Sequence, residues 1–369
     1  MIEFIRIQRF KTLLDASFPL SALNLFSGLN GLGKSSLLQT LLLLRQSYEK
    51  NTLESKGLLL KGDYLTLGTG QDILSEQAAE SDPLEFTITW GGNPATNFVF
   101  TYAPNSDLQP IAQKPNLLSP ETLSLFNSNF QYLSADRIGP KNSYEISDFH
   151  ITTLNTLGSH GEYTVHYIAV HDQSPLPIPA LRHMNAVSDT LRENINSWMS
   201  ELSPGIQVKA MLQPQLNSAS LGYTFIQGKD VTADFKPQNV GFGLTFVLPV
   251  VTALLRAKPG DLLVVENPEA HLHPAGQTII GRMCALAAAN GVQLFVESHS
   301  DHFLNGIRVA VRQNVINAEL VSLFFLERDG SGTTHATTIR NPSIDHQGRI
   351  DFWPEGFFDE WDRQLEKLL

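Results

Sequence analysis

The chain has a single cysteine, Cys284, in 369 residues. No intrachain disulfide is therefore possible, and the apolar run Met283-Cys-Ala-Leu-Ala-Ala-Ala289 places the thiol in a core. This usage suits a reducing compartment. No apolar run reaches the ~18 residues needed to span a bilayer. The N-terminus, Met1-Ile-Glu-Phe-Ile-Arg6, lacks the basic-then-apolar pattern of an export signal. The expectation is a cytoplasmic protein with no membrane partner. Lysine and arginine together number 26 against 37 acids, a formal charge of −11. That balance argues against non-specific nucleic-acid binding, and no Lys/Arg run announces a local patch, although one for DNA remains open. There is no internal repeat, heptad run or low-complexity segment. What is present is an ordinary globular composition, 42% hydrophobic and 17% charged, with length for one large domain or about two.

One stretch organises the rest. Gly28-Leu-Asn-Gly-Leu-Gly-Lys-Ser35 reads G-x-x-x-x-G-K-S, a phosphate-binding loop. Gly28, Gly31 and Gly33 let the backbone fold tightly, so that peptide N–H groups point inward. Lys34 reaches β- and γ-phosphates, and the Ser35 hydroxyl holds Mg²⁺. Leu23-Asn-Leu-Phe26 before it reads as a buried strand. Ser36 to Gln46, with leucines at 37, 38, 41, 42, 43 and 44, reads as a buried helix whose N-terminus faces the phosphates. The candidate nucleotide contacts in this stretch are Gly28, Asn30, Gly31, Leu32, Gly33, Lys34, Ser35 and Ser36.

Along the chain, Ile2 to Ile7 alternates as an edge-type strand. Residues 62–68 suggest a turn around a short strand. Leu84–Trp90 and Asn97–Tyr102, joined by Gly91-Gly-Asn-Pro94, predict a β-hairpin. Residues 104–129 predict a loop with one short helix. Phe130–Ser134 predicts a strand ending in the charged loop Ala135-Asp-Arg-Ile-Gly-Pro140, a position that suits function. Residues 141–180 give weak signals. A helix is expected over Ala186–Leu202 and a strand pair at Val208–Leu212 and Leu221–Ile226. Then come an apolar helix over 244–256, a buried strand at Asp261–Val265, a helix from Gly276 to Ala289, a buried strand at Val292–Glu297 and a helix from His302 to Val311. Late strands are expected at Val321–Leu326 and His335–Ile339, and a closing helix from Gly356. This order is an α/β nucleotide-binding core split by an insertion of roughly 170 residues, longer than a typical loop.

Three further motifs carry chemistry. Leu262-Leu-Val-Val-Glu266 is a buried strand ending in an acid, where a carboxylate reaches Mg²⁺ directly or through water. Asn239-Val-Gly-Phe-Gly-Leu-Thr245 sits just before a helix, and Gly241 and Gly243 expose N–H groups there, an anion site. Glu297-Ser-His-Ser-Asp-His302 ends the next strand. His299 there suits polarising water or sensing hydrolysis, whereas His302 begins a helix. His271 and His273 lack a cysteine or clustered partner to complete a zinc site.

Together these residues resemble the heads of ABC-class ATPases: SMC proteins, double-strand-break repair ATPases, and the smaller OLD-like and AAA-type ATPases of bacterial defence operons. The resemblance is strong over residues 1–70 and 236–310 and loose over 71–235; the tail Asp351-Phe-Trp-Pro-Glu-Gly-Phe-Phe-Asp359 also resembles the short, coiled-coil-free forms. It implies an α/β P-loop NTPase of ABC ATPase-head type, one head over 1–369. The nucleotide-binding core would be 1–70 and 236–369, with an α+β insertion, 71–235, between the P-loop and the signature motif. It implies ATP and Mg²⁺ as cofactors, and a homodimer or higher assembly in which two heads sandwich ATP. Gly241, Gly243 and Thr245 of one copy would then touch the γ-phosphate held by the other. It also implies His299 as the switch histidine, Gln71 as a metal-side glutamine with Ser35 and Glu266, and Arg9, Phe10 and Lys11 beside the base. Where the family has Asp-Glu-Pro, this chain has Glu266-Asn267-Pro268. Either Glu266 or Glu269 takes the base role, or hydrolysis is slow; slow turnover and a long-lived ATP-bound dimer are expected. About 60 residues follow Arg308, too few for the Toprim domain of OLD-type nucleases. The leading expectation is an ATP-gated switch controlling a separately encoded effector, a nuclease, in anti-phage defence. The alternative is a DNA-repair or DNA-processing ATPase. A transport ATPase is disfavoured because Leu-Ser-Gly-Gly-Gln is absent.

Overall fold

The structure, a computed structural model, describes residues 1–29, 31–228, 230–328, 337–358 and 364–368. Alternation at the N-terminus forms β1 (Ile2–Phe10), which buries Ile2, Ile5, Ile7 and Phe10. β2 (Leu13–Pro19) returns antiparallel to it. Next come β3 (Leu23–Gly28), α1 (Lys34–Glu49), β4 (Gly57–Leu59), β5 (Leu84–Trp90), β6 (Thr96–Phe100) and β7 (Leu108–Gln113). The antiparallel sheet runs β2-β1-β5-β6-β7-β4. β1 is thus interior and not an edge strand, because period-two alternation reports one packed face and not a place in the sheet. The expected hairpin forms as β5 and β6. Residues 62–68 hold no strand, only a bridge between Lys61 and Thr66. β7 replaces part of the loop expected over 104–129. Its Pro110 and glutamines hide the pattern, yet Gln109 is buried with its amide bonded to the Ala103 backbone and to the Ser106 carbonyl.

A second set of elements begins with β8 (Phe130–Leu133). It continues through α2 (Thr164–His171), α3 (Leu191–Leu202), β9 (Ile206–Gln213), β10 (Ser218–Gln227), β11 (Asp230–Val231) and α4 (Phe242–Arg256). It closes with β12 (Leu262–Glu266), α5 (Pro274–Ala289), β13 (Gln293–Glu297) and α6 (Asp301–Arg312). β12 pairs in parallel with both β8 and β13, the arrangement that buried apolar runs favour. β9, β10 and β11 form a separate antiparallel sheet. α3 starts five residues later than expected, after Thr190 in extended conformation. α2 gave no sequence signal.

β14 (Val321–Arg328) lies parallel to β3, and β15 (Thr337–Arg340) pairs with β14 antiparallel. His335, expected to start a strand, lies outside the described residues, as do 359–363 of the expected closing helix; Gly356 to Phe358 is not helical. Phe26 of β3 stacks on Phe324 of β14 at 5.0 Å, and Phe18 of β2 meets Phe324 edge-on at 5.5 Å.

The chain divides into two compact units. The first is Met1–Asn127 with Val321–Ser343 and Ile350–Leu369; the second is Ser128–Leu320 with Ile344–Arg349. Residues 71–127 belong to the first and 128–235 to the second, because β5, β6 and β7 extend the sheet of β1.

Candidate functional site

In the first unit, β3 ends in the glycine-rich loop and α1 begins from it. Gly28, Gly31 and Gly33 take φ of 138°, 80° and 86°, which side chains with a Cβ rarely adopt. A Cβ on Gly28 would lie 2.2 Å from the Leu326 carbonyl oxygen, and one on Gly33 would lie 2.5 Å from Thr12 Oγ1. Gly33 is the N-cap of α1; no side chain caps the helix and its first turn holds no acid. That end carries partial positive charge aimed into the loop. Lys34 is buried, and its Nζ donates to the carbonyls of Gly28 (2.9 Å) and Leu29 (2.8 Å). Leu32 and Ser36 are buried, Ser35 is half-buried, and the Leu32 carbonyl accepts from Thr337 Oγ1 at 3.1 Å. Asn30 lies outside the described residues.

Gln71 is exposed in a helical turn, and its Nε2 donates to Asn105 Oδ1 at 3.3 Å. It shares a cleft of about 330 Å³ with Lys11 and Thr12. Lys11 donates to Gln39 Oε1 at 2.7 Å, and burial lowers its pKa. Arg9 pairs with Glu85 at 3.1 Å, and Phe10 is core.

In the second unit, the parallel register sets Glu266 beside Glu297 at the ends of β12 and β13. Glu266 accepts from Tyr132 Oη (3.1 Å) and from the Ala135 N–H (3.2 Å). Asn267 has φ 44°, and its Oδ1 is buried with no hydrogen-bond partner. Glu269 is buried. Its Oε1 accepts from Ser298 Oγ (2.8 Å) and the His299 N–H (3.1 Å), while its Oε2 has no partner. Burial raises the pKa of Glu269, against those hydrogen bonds. His299 is exposed, with Nε2 4.0 Å from Glu297 Oε1. His302 lies in the first turn of α6.

Sequence reasoning flagged the 135–140 loop but missed what Arg137 does there. Its guanidinium is buried and donates to four carbonyls: Ser134 (2.9 Å), Glu266 (2.6 Å), Asn267 (2.7 Å) and Phe246 (3.2 Å). It also stacks over Phe246, 4.5 Å from the ring centroid. Burial lowers its pKa to about 10, so it stays charged at neutral pH. Gly241 caps α4 and is exposed; a Cβ there would meet nothing within 4 Å. A Cβ on Gly243 would lie 2.3 Å from the His271 carbonyl oxygen. The His271 ring packs edge-on against Phe242 (4.8 Å) and Phe246 (4.9 Å). The signature loop and the loop after the acid strand are therefore packed together. Thr245, by contrast, is buried and bonded to Tyr223 Oη at 3.0 Å.

These residues fit a nucleotide and its cation. The loop is closed to side chains at Gly28 and Gly33, and an uncapped helix start and a lysine amine line it. Among the described residues no cluster of three metal-ligating side chains occurs, which suits Mg²⁺ held by one or two protein groups and by phosphates.

The loop, the acid-ended parallel strand and the α/β order define a P-loop NTPase of ABC ATPase-head type with an α+β insertion. Within that class, the chain belongs to the family described as "AAA domain, putative AbiEii toxin, Type IV TA system", matched over residues 23–305. Residues 316–368 match a family described as a protein of unknown function, DUF3696. Among solved structures it is similar to the SMC head domain from Thermotoga maritima. That match has 11% identity over 92% of this chain and 98% of the other, with a TM-score of 0.46. It is also similar to an SMC head bound to the C-winged helix domain of ScpA (13%, 93% and 98%, 0.46). A third is an SMC head with an extended coiled coil bound to a ScpA C-terminal domain derived from Pyrococcus furiosus (13%, 100% and 99%, 0.44). No curated protein matches the chain in sequence. No helix among the described residues is long and apolar enough to cross a membrane.

Proposed function

We propose that this protein binds and slowly hydrolyses ATP, and that ATP holds two copies together as a switch controlling a separately encoded effector, a nuclease, in anti-phage defence. The observation that carries the reading is the phosphate cradle: three glycines at left-handed angles, an uncapped α1 and the Lys34 amine. Lys34 and the N–H groups of the loop would hold the triphosphate, with Ser35 on Mg²⁺ and Gln71 and Glu266 on its water shell. The cation offsets phosphate charge as the terminal phosphoryl group leaves. Gly241 and Gly243, exposed or half-buried at the start of α4, would meet the nucleotide of a second copy; Thr245, facing the interior, would support that loop.

Slow turnover follows from the side chains at the acid strand. Asn267 offers an amide that does not accept a proton. Glu269 is buried and engaged by Ser298 and His299. That leaves Glu266 to orient or deprotonate water, with His299, near Glu297 on the neighbouring strand end, to register the γ-phosphate.

The test measures ATP hydrolysis and oligomeric mass together, for wild type and Lys34→Ala, with and without double-stranded DNA. Slow hydrolysis with an ATP-dependent dimer, both lost in Lys34→Ala, is expected. Strong stimulation by DNA would move the assignment to a DNA-processing ATPase, and failure to bind ATP would overturn it.

A further inference from the structure

A cleft of about 540 Å³ opens in the second unit, away from the strand ends that carry Glu266 and Glu297, between the end of α4 and the 149–177 segment. Its volume is that of a small-molecule site. At its inner wall lies Arg256, the last residue of α4, 9% exposed. The guanidinium is fixed by neutral groups alone: Nη1 donates to Asn155 Oδ1 (2.9 Å), and Nη2 donates to Gln131 Oε1 (2.8 Å) and the Asn155 carbonyl (3.0 Å). It lies over the Tyr167 ring, 5.3 Å from the centroid. Its Nε–H has no acceptor, and the nearby His171 Nε2 has no partner either.

A buried charge held only by amides and carbonyls is costly unless an anion completes it. Asp261 acts on Arg256 through space, but among the described residues Arg256 forms no ion pair. No acid lines the cleft, while Lys258 stands exposed at its rim. This is a cationic hollow in a chain of formal charge −11. One wall, Ile151 to Thr153, belongs to a π-helix, Phe149–Thr153, a form that recurs at functional sites. Part of the remaining lining is apolar, where Leu176, Leu191 and Leu255 are buried, and part is polar, with Ser128, Asn129 and Ser174. The cleft thus has two cationic side chains, Arg256 in its inner wall and Lys258 at its rim, beside a partly apolar lining.

We propose that this cleft binds a small organic phosphate, its anionic group on Arg256 and Lys258 and its carbon skeleton against Ile151, Leu176 and Leu255. The Thr153 hydroxyl at the cleft wall suits a remaining phosphate oxygen, while that of Thr152 donates to the Asp148 carbonyl. Such a ligand would act on α4, whose first residues carry the Gly241–Gly243 loop. The inference does not rest on the ATPase reading.

The test is calorimetric titration of the full chain with ribose 5-phosphate and with inorganic phosphate, in wild type, Lys34→Ala and Lys258→Glu. Lys258 is exposed, so its charge reversal preserves the fold, which a melting curve checks. The expected result is ribose 5-phosphate binding that persists in Lys34→Ala and weakens about tenfold or more in Lys258→Glu, as reversal of a contacting charge requires. Binding lost in Lys34→Ala and kept in Lys258→Glu would place the probe at the P-loop and overturn the proposal. So would binding indifferent to both changes, binding of inorganic phosphate alone, or no heat up to about 10 mM of either probe, a concentration well above the Kd of even a weak specific site.

Discussion

Replacing Arg137 by methionine tests how the strand-end cluster is built. Methionine keeps much of the unbranched apolar length but removes every donor. Four carbonyls, those of Ser134, Phe246, Glu266 and Asn267, then lose a charged hydrogen bond. Each such bond is worth about 1.5–3 kcal/mol, but the terms are not additive and water will reach some of the oxygens. Breaking a buried charged network by removing one member costs about 3–5 kcal/mol, and that is the expected loss. At an m-value near 3 kcal/mol/M the urea midpoint should fall by roughly 1–2 M, read by circular dichroism. Arg137→Lys keeps the charge but has one ammonium where the guanidinium reached four carbonyls on both sides of residue 267, so it should recover only part of the loss. The φ of 44° at Asn267 is held in part by this grip, so hydrolysis should fall more than stability explains. A loss below about 1 kcal/mol for Arg137→Met would refute the account, since it would mean that the four bonds are replaced by solvent at no net cost.

Three further outcomes are expected. Asn267→Glu supplies a proton acceptor and should raise the ATP hydrolysis rate by about tenfold or more, within the range of general-base effects; an unchanged rate, by phosphate release, would show that residue 267 does not face the attacking water. Burial lifts the Glu269 pKa above its ordinary 4.5, so the native state keeps this proton to higher pH than the unfolded chain. Its contribution to stability is complete below the unfolded value and is lost as pH rises through the folded one. The stability of wild type relative to Glu269→Gln should therefore decline upward from pH 4.5, by at most about 1.4 kcal/mol per unit, and a difference growing with pH in paired denaturation curves would contradict the sign. Gly28→Ala sets a Cβ against the Leu326 carbonyl and should cost about 2–4 kcal/mol, seen as a lowered melting temperature.

Two kinds of element were legible in the sequence: the alternating strands β1, β5 and β6, with one packed face, and elements buried on most sides. β12 and β13 appear as short apolar runs and α1 as leucines on either side of Gln39-Thr40, and the structure buries most of their residues. α2 was illegible because His166 and His171 interrupt its short apolar face, although Val165 and Ile168 are core. β7 was hidden by glutamines whose burial depends on turn hydrogen bonds that no local pattern reports. The motif residues were readable because their chemistry is local: a loop of eight residues, an acid after four apolar ones. Arg137 was not, since its partners lie as far as 130 positions away in the chain and are backbone carbonyls, which carry no residue signature. Gly241 and Gly243 were singled out from one loop, while a packing reason for Gly243, close approach of the His271 backbone, needed the folded chain.

The pairing of β3 with β14 has a consequence for how the protein is made. Leu23 aligns with Val321 and Gly28 with Leu326, so the strand that presents the P-loop gains this neighbour only after residues 29–320 have been made. At about 5–20 residues per second the intervening chain takes roughly 15–60 s to synthesise. During that interval one edge of β3 is open to other chains, and Phe26 lacks the ring of Phe324 that covers it in the finished fold. A nascent chain stalled before Val321 would carry the complete P-loop motif and still lack the strand that steadies it. The order of synthesis thus sets when this loop can be steadied, which is only after Val321–Leu326 has emerged to pair with Leu23–Gly28.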